Sequence, residues 1–333
     1  MAGEIRLTRK QLMLFKLETT YAADAAPNEA SSGQPVHLME PFETDMTQEF
    51  VERNPANNTT GFDRPIPTVR PIGVTFRSFV TGHTVGDSYT AAKKPPLADL
   101  FRACGMQETF VASNANGDSE YSYQFASSVA SHHSATIVAH HDGYDQRLLG
   151  ARGNVNFIYA AAAPVIAEFT FRGLLSTEAE TTRGTATFND PIPPRWIDSG
   201  SVLFAQSGYC LDIENLNLNT NWNLFEQRAS CALSGSGILG ILLTERTPGG
   251  SMDPYATRTS TADLIGQWRS GSGATLVLNT GLDDGNRFSI TASQMVHKTM
   301  AWADKSGAQI FNDGFQLYQF GAGNNELRIS FTS

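Results

Sequence analysis

Along much of this chain, apolar residues recur at every second position. Ile72, Val74 and Phe76 alternate with Gly73, Thr75 and Arg77, and the same rhythm returns at Val155, Phe157 and Tyr159. It returns again at Val165, Ala167, Phe169 and Phe171, and at Leu327, Ile329 and Phe331. Successive side chains of a strand point to opposite faces, so a period of two lays one apolar face on a core and turns the other to water. The chain is therefore expected to be mainly β. Its 333 residues suffice for two compact units with real cores.

Charged residues make up 17% of the chain and hydrophobic residues 41%. A surface with few charges can be covered by a partner without stripping water from many ions. The formal net charge is −9, opposite in sign to a protein that grips nucleic acid by displacing counterions. The acidic balance fits solubility equally well, and it is compatible with a surface that DNA must slide past without sticking. Cys104, Cys210 and Cys231 are odd in number and widely spaced, which excludes a disulfide framework and zinc-site spacing. Arg6, Arg9, Lys10 and Lys16 interrupt the apolar residues of the N-terminus, so no export signal is expected, and no apolar run approaches a membrane span. Synthesis in the cytoplasm without membrane insertion follows.

Residues 1–70 read as an extended N-terminal arm with one or two short strands. Pro27, Pro35, Pro41, Pro55, Pro65 and Pro67 break any longer element. With no core partner of its own, the apolar stretch Ile5–Leu17 is expected to lie across a neighbouring molecule. A first unit follows over 71–176, a Thr/Pro-rich linker over 177–200 and a second unit over 201–333. In the first, Pro95-Pro96 open a helix whose Leu97, Leu100, Phe101 and Cys104 share one face, and Gly105 ends it. In the second, Ser260 is the candidate N-cap, Leu264, Ile265 and Trp268 form the core face, and Gly271 is the stop. Leu211 and Ile213 fall on one parity and Leu216 and Leu218 on the other, which predicts a bulge near Asn215. Ile238–Leu243 reads as a central strand.

The two units share an order of parts. Ala98-Asp99-Leu100-Phe101 and Ala262-Asp263-Leu264-Ile265 lie 164 residues apart, and each follows a turn-rich stretch of 14 residues, Thr81–Lys94 and Glu245–Arg258. At an offset of 160, Val165–Phe171 falls on Asn325–Phe331, and Val155 and Phe157 fall on Phe315 and Leu317. The pattern predicts a divergent duplication, whose two units can occupy equivalent positions in a ring.

No motif for catalysis or cofactor binding is present: no Gly-x-Ser-x-Gly elbow, no P-loop and no dinucleotide fingerprint. His132, His133, His140 and His141 invite a metal reading, but adjacent residues of a strand point to opposite faces and do not converge. Asp212 and Glu214 share a strand face without an identifiable acid or base partner. No catalytic, cofactor or metal site is expected, and the chain is not read as an enzyme.

Four blocks carry a resemblance. Leu12-Met13-Leu14-Phe15-Lys16-Leu17-Glu18-Thr19-Thr20-Tyr21, followed by Asp24-Ala25-Ala26-Pro27, is similar to the start of major tail tube proteins of bacteriophages with long non-contractile tails. Pro95-Pro96-Leu97-Ala98-Asp99-Leu100-Phe101-Arg102-Ala103-Cys104-Gly105 resembles their helix segment. Leu149-Gly150-Ala151-Arg152-Gly153-Asn154-Val155 resembles a late strand of their first unit, and Thr247-Pro248-Gly249-Gly250-Ser251-Met252-Asp253-Pro254 the corresponding loop of the second. The blocks stand in order over the whole chain, while the Ala56–Thr68 segment matches no motif of the family.

The resemblance implies β-sandwich or barrel-like units, each with one flanking helix, in a structural virion protein. It implies stacked rings forming a tube that conducts DNA during ejection. With a duplicated unit, the ring would be a trimer with pseudo-sixfold symmetry. Its partners would be copies of itself, other tail proteins at the tube ends, and a tape measure protein and passing DNA in the lumen. The place would be the virion tail, assembled in the host cytoplasm. On that reading the contacts between copies fall on Leu12, Leu14 and Phe15 of the arm, on Gly82, Gly86 and Tyr89 of the first long loop, and on Pro248, Gly249, Met252 and Tyr255 of the second. The rival readings are a non-stacking ring protein of the tail (a terminator or distal adaptor), a tube protein of a contractile tail or injection device, and a non-viral β-rich carbohydrate-binding or hydrolytic protein.

Overall fold

The computed structural model describes residues 5–31, 34–53, 56, 61–68, 71–83, 86–188, 192–194, 205–206, 209–228, 238–258, 262–321 and 323–333. It is a mainly β protein with little helix. The first half contains β1 (Gln11–Leu17), β2 (Pro35–Val36), β3 (Glu43–Met46), β4 (Phe50–Arg53), β5 (Asp63–Pro67), β6 (Pro71–Phe79), helix α1 (Ala98–Ala103), β7 (Met106–Val111), β8 (Glu120–Phe125), β9 (Ala135–His141), β10 (Tyr144–Ala160) and β11 (Ile166–Glu180). The second contains β12 (Ala205–Gln206), β13 (Tyr209–Cys210), β14 (Ile213–Asn219), β15 (Trp222–Arg228), β16 (Ile238–Arg246), β17 (Gly249–Pro254), helix α2 (Leu264–Ser270), β18 (Ala274–Thr280), β19 (Arg287–Lys305), β20 (Ala308–Tyr318) and β21 (Arg328–Thr332).

Hydrogen-bonded neighbours in the first half run β2-β1-β9-β10-β11-β6-β3, all antiparallel. In the second they run β13-β12-β18-β19-β20-β17-β14, also antiparallel. Read in chain order, the two ladders have the same connections. Each also carries a separate two-stranded sheet at the same place: β4–β5 lies between β3 and β6, and β15–β16 between β14 and β17. Among the described strands, pairing joins the halves at two seams. The distal end of β10, Asn156–Ala160, pairs with β14, and β21 pairs with both β8 and β19.

The strict alternation of the sequence is the reason for β6, whose residues are buried at every second position from Ile72. Leu97, Leu100, Phe101 and Cys104 are all buried beneath α1, and Gly105 ends the helix at φ 75°. Phe101 packs against Tyr123, Phe157, Phe169 and Phe331, with ring centroids 5.3–6.2 Å apart. Phe331 comes from the second half, and one apolar core runs continuously from Met13 to Phe331. Burial of such a ring contributes about 1.5–3 kcal/mol. The bulge expected near Asn215 is present as a register shift between Ile213 and Leu216.

Several expectations are corrected. The arm has a core partner within the chain: β1 pairs with β9 over Gln11–Leu17, and Met13, Leu14 and Phe15 are buried. Ile238–Leu243 belongs to the two-stranded β15–β16 sheet and is not a central strand. Glu245–Arg258 is not one long loop, since β16 and β17 occupy most of it. The offset of 160 matches Val165–Phe171 to β21, yet β11 pairs β6 as β20 pairs β17, so in strand order β20 holds the corresponding place. Trp268 is 42% exposed and is not a core residue. Asp263, not Ser260, caps α2, its side chain accepting from Gly266 N at 2.8 Å; Ser260 lies outside the described residues. His132 and His133 follow a short 3-10 turn and are not on a strand.

Candidate self-association surface

Two of the blocks singled out in the sequence meet at a joint between the halves. The buried carboxylate of Glu18 accepts four hydrogen bonds, from Ala22 N and Ser134 Oγ on one oxygen and from Thr136 Oγ1 and Gly150 N on the other, at 2.6–3.0 Å. This fixes the turn that carries Tyr21. The Tyr21 hydroxyl accepts from Ile241 N at 2.6 Å and donates to Gly150 O at 3.3 Å. Burial pushes its pKa up. A Cβ on Gly150 or on Gly240 would stand 2.7–2.8 Å from the Tyr21 side chain, so both glycines are needed for its fit. Arg152 stacks over the Tyr21 ring at 5.0 Å and donates to Ile241 O at 2.8 Å. The Ile241 peptide of β16 is thereby held on both sides by residues of the first half.

The contact residues expected from sequence are mostly used inside the chain. Leu14 and Phe15 are in the core, and Leu12 is half-buried in β1. The Thr81–Lys94 loop docks on the turn before β19: Gly82 N donates to Asn286 Oδ1 at 2.8 Å, Gly86 N to Asp284 O at 2.7 Å, and the buried Tyr89 hydroxyl to Gly285 O at 2.7 Å. A Cβ on Gly82 would be 1.8 Å from Gly285 O. Pro248 is buried, and Gly249 and Met252 lie in β17 between β14 and β20. Tyr255, at the end of β17, is on the surface. Of these positions Gly86 and Tyr255 are exposed and Leu12 is half-buried, while the others are packed within the chain.

Two other regions present uncovered apolar surface. Every described residue of β4 is exposed, including Phe50 and Val51, and on β5 and before it Ile66 and Phe62 are exposed. This hairpin pairs with no further strand among the described residues. A two-stranded sheet alone is marginal in water. It is tied down at its base, where Arg228 reaches the Glu49 carboxylate at 2.5–3.0 Å. The second region is the distal end of β19. Val296–Lys305 pairs with β20 alone among the described strands, and Trp302, 60% exposed, rests on Phe311. The sequence gives no period-two signal strong enough to mark either region, since exposed strands lack a buried face.

The titratable clusters are bound up in structure. His140 Nδ1 lies 2.7 Å from Asp145, whose other oxygen takes Arg183 at 2.5 Å, and Gly143 N donates to His140 Nε2 at 3.1 Å. His297 and Asp313 meet at 2.6 Å with both side chains out of solvent's reach, so no substrate touches them in this conformation. Burial would raise the Asp253 carboxyl, but hydrogen bonds from Asn215, from Lys305 Nζ at 2.9 Å and from Glu214 N hold it below the usual range. Among the described residues no group of three or more His, Cys, Asp or Glu side chains is placed to hold a metal ion, and no helix is long and apolar enough to cross a membrane. Neither known protein families nor curated proteins yield a match to the chain.

Proposed function

We propose that this protein is a structural subunit that assembles with copies of itself, and that its assembly is the stacked-ring tube of a long non-contractile phage tail. The observation that carries self-assembly is the uncovered β4–β5 hairpin, with Phe50, Val51, Phe62 and Ile66 in water. Apolar groups concentrated on a lone hairpin are stabilised when a second surface covers them. The repeated strand order supports a tandem duplication, and a duplicated subunit closes a pseudo-sixfold ring with three chains. The tail tube identity rests on the four sequence blocks. On this reading the ring stacks on its own kind, meets other tail proteins at the tube ends, and encloses a tape measure protein and passing DNA within a virion tail assembled in the host cytoplasm. The net charge of −9 fits a wall that holds DNA through few phosphates.

Negative-stain microscopy and mass photometry of the purified chain test this. Stacked tubes, with a smallest ring of three chains, are the expected result. Single rings that never stack would point to a terminal ring component. Monomers at all concentrations would refute self-assembly. A Phe50→Ser, Ile66→Ser variant should retain the wild-type circular dichroism and melting temperature and lose the assembly.

A further inference from the structure

The seam between the two halves of one chain is a template for the seam between two chains. Within the chain, the distal edge of β10 pairs with β14, Ile158 opposite Asn217, and the β15–β16 hairpin beside β14 lies over β10 and β11. That hairpin is covered on one face: Trp222, Ile238, Ile241 and Leu243 are buried, while Phe225 and Leu239 face outward. In the matching strand order β14 corresponds to β3, β15–β16 to β4–β5, and β10–β11 to β19–β20. The corresponding second seam would join the distal edge of β19 to β3 and lay β4–β5 over β19 and β20. It is not made within the chain. β3 pairs with β6 alone among the described strands, β4–β5 is exposed, and β19 from Thr299 to Lys305 has no strand on its second edge among the described residues, the Lys298 carbonyl before it accepting from the Trp268 indole of α2. A relation between halves that leaves matching surfaces open at both ends is heterologous, and another molecule must complete it.

We infer that β3 and the β4–β5 hairpin of one molecule dock against the distal β19–β20 hairpin of a second copy, with β3 adding to the open edge of β19. This rests on the self-assembly reading and names the surfaces that carry it. The chemistry of the two sides agrees. An open edge supplies backbone donors and acceptors to an incoming strand. β3 carries the acidic Glu43 and Asp45, and the distal part of β19 carries Lys298, while Lys305 is paired with Glu214 and Asp253 of its own chain. Met46, Phe50 and Ile66 on one side and Trp302 on the other are large apolar residues exposed to water. Each is covered by the contact its counterpart half already suggests.

The test places a photo-reactive benzoylphenylalanine at Phe50 in the full chain. Equal parts of this protein and of isotope-labelled wild type are assembled and irradiated, and cross-linked peptides are identified by mass. The expected product joins position 50 of one molecule to residues 296–318 of the other isotopic form, and it is confined to the assembled fraction. A Trp302→Glu variant with a native circular dichroism spectrum should lose that product and remain monomeric. Assemblies whose cross-links map elsewhere would overturn the inference and leave self-assembly standing. A wild-type chain that forms no oligomer would overturn both.

Discussion

Replacing Glu18 by glutamine changes one oxygen of a buried side chain to an NH2 group, and the joint between the halves should register it strongly. The carboxylate accepts from Ala22 N, Ser134 Oγ, Thr136 Oγ1 and Gly150 N. In Glu18→Gln one oxygen remains, so two bonds survive but fall from charge-assisted to neutral, roughly 1 kcal/mol each. The new NH2 faces one hydroxyl, which can rotate to accept, and one backbone N–H, which cannot. That N–H is left buried without an acceptor, which costs about 1–3 kcal/mol. The sum is about 3–5 kcal/mol. Urea denaturation followed by tryptophan fluorescence measures it. With a slope of about 2–3 kcal/mol/M the midpoint should fall by roughly 1.5 M. Ser134→Ala, which removes one hydroxyl donor and leaves the carboxylate, should cost about 1 kcal/mol. A Glu18→Gln midpoint within about 0.3 M of wild type would mean that the four donors have other acceptors and that the joint does not depend on this charge.

Three further outcomes are expected. Gly250→Ala puts a Cβ 1.8 Å from Asn217 O, which forces β14 and β17 apart; a loss of about 2–4 kcal/mol is expected, with faster amide exchange across Leu216–Asn219. Phe101→Ala should cost about 3–5 kcal/mol and Trp268→Ala about 1 kcal/mol or less, because the first ring sits at the centre of the core and the second is largely in water; calorimetric melting checks the ranking. His132 is depressed by burial, and by the nearby Arg152 and Arg246 cations, against the opposing bond to Ala126 O. Its folded pKa lies below the unfolded value of about 6.5, so the neutral ring stabilises the fold fully above that pH and the contribution is lost as pH falls toward the depressed value. His132→Gln should therefore flatten part of the fall in urea midpoint below about pH 6.5; an unchanged slope would contradict the assignment.

Strands buried on one face were legible in the sequence, and so were the apolar face of α1 and the bulge near Asn215. The misreadings have a shared physical origin. Pro248-Gly249-Gly250 carries the residues of a turn, yet here the glycines let β17 come close to strands on both sides: a Cβ on Gly249 would meet Phe315 O at 2.6 Å. Close approach and tight turning both require the absence of a side chain, so composition alone does not separate them. The Thr81–Lys94 loop, with few apolar residues, is expected from sequence to meet a neighbouring copy, but backbone donors and one tyrosine hydroxyl dock it within the chain, and hydrogen bonds leave no periodic trace. The arm looked coreless because its partner, β9, lies more than a hundred residues away in the chain. The β4–β5 hairpin is hidden for the opposite reason: Pro65 and Pro67 argue against a strand, and they are tolerated because its edges pair with nothing further among the described residues.

The placement of β21 sets an order of events in folding. This strand pairs with β8 across more than two hundred residues, and Phe331 on it touches Phe101. Until Arg328–Thr332 has emerged from the ribosome, β8 keeps an open edge and the aromatic cluster around Phe101 lacks one wall. A nascent chain thus holds a sticky intermediate through the synthesis of its entire second half. Closing so long a loop makes the final docking slow relative to local hairpin formation. Chaperone occupancy should accordingly persist until β21 has been made, and slow-translating codons upstream of β21 would lengthen the period in which one chain's β8 can be met by the wrong strand.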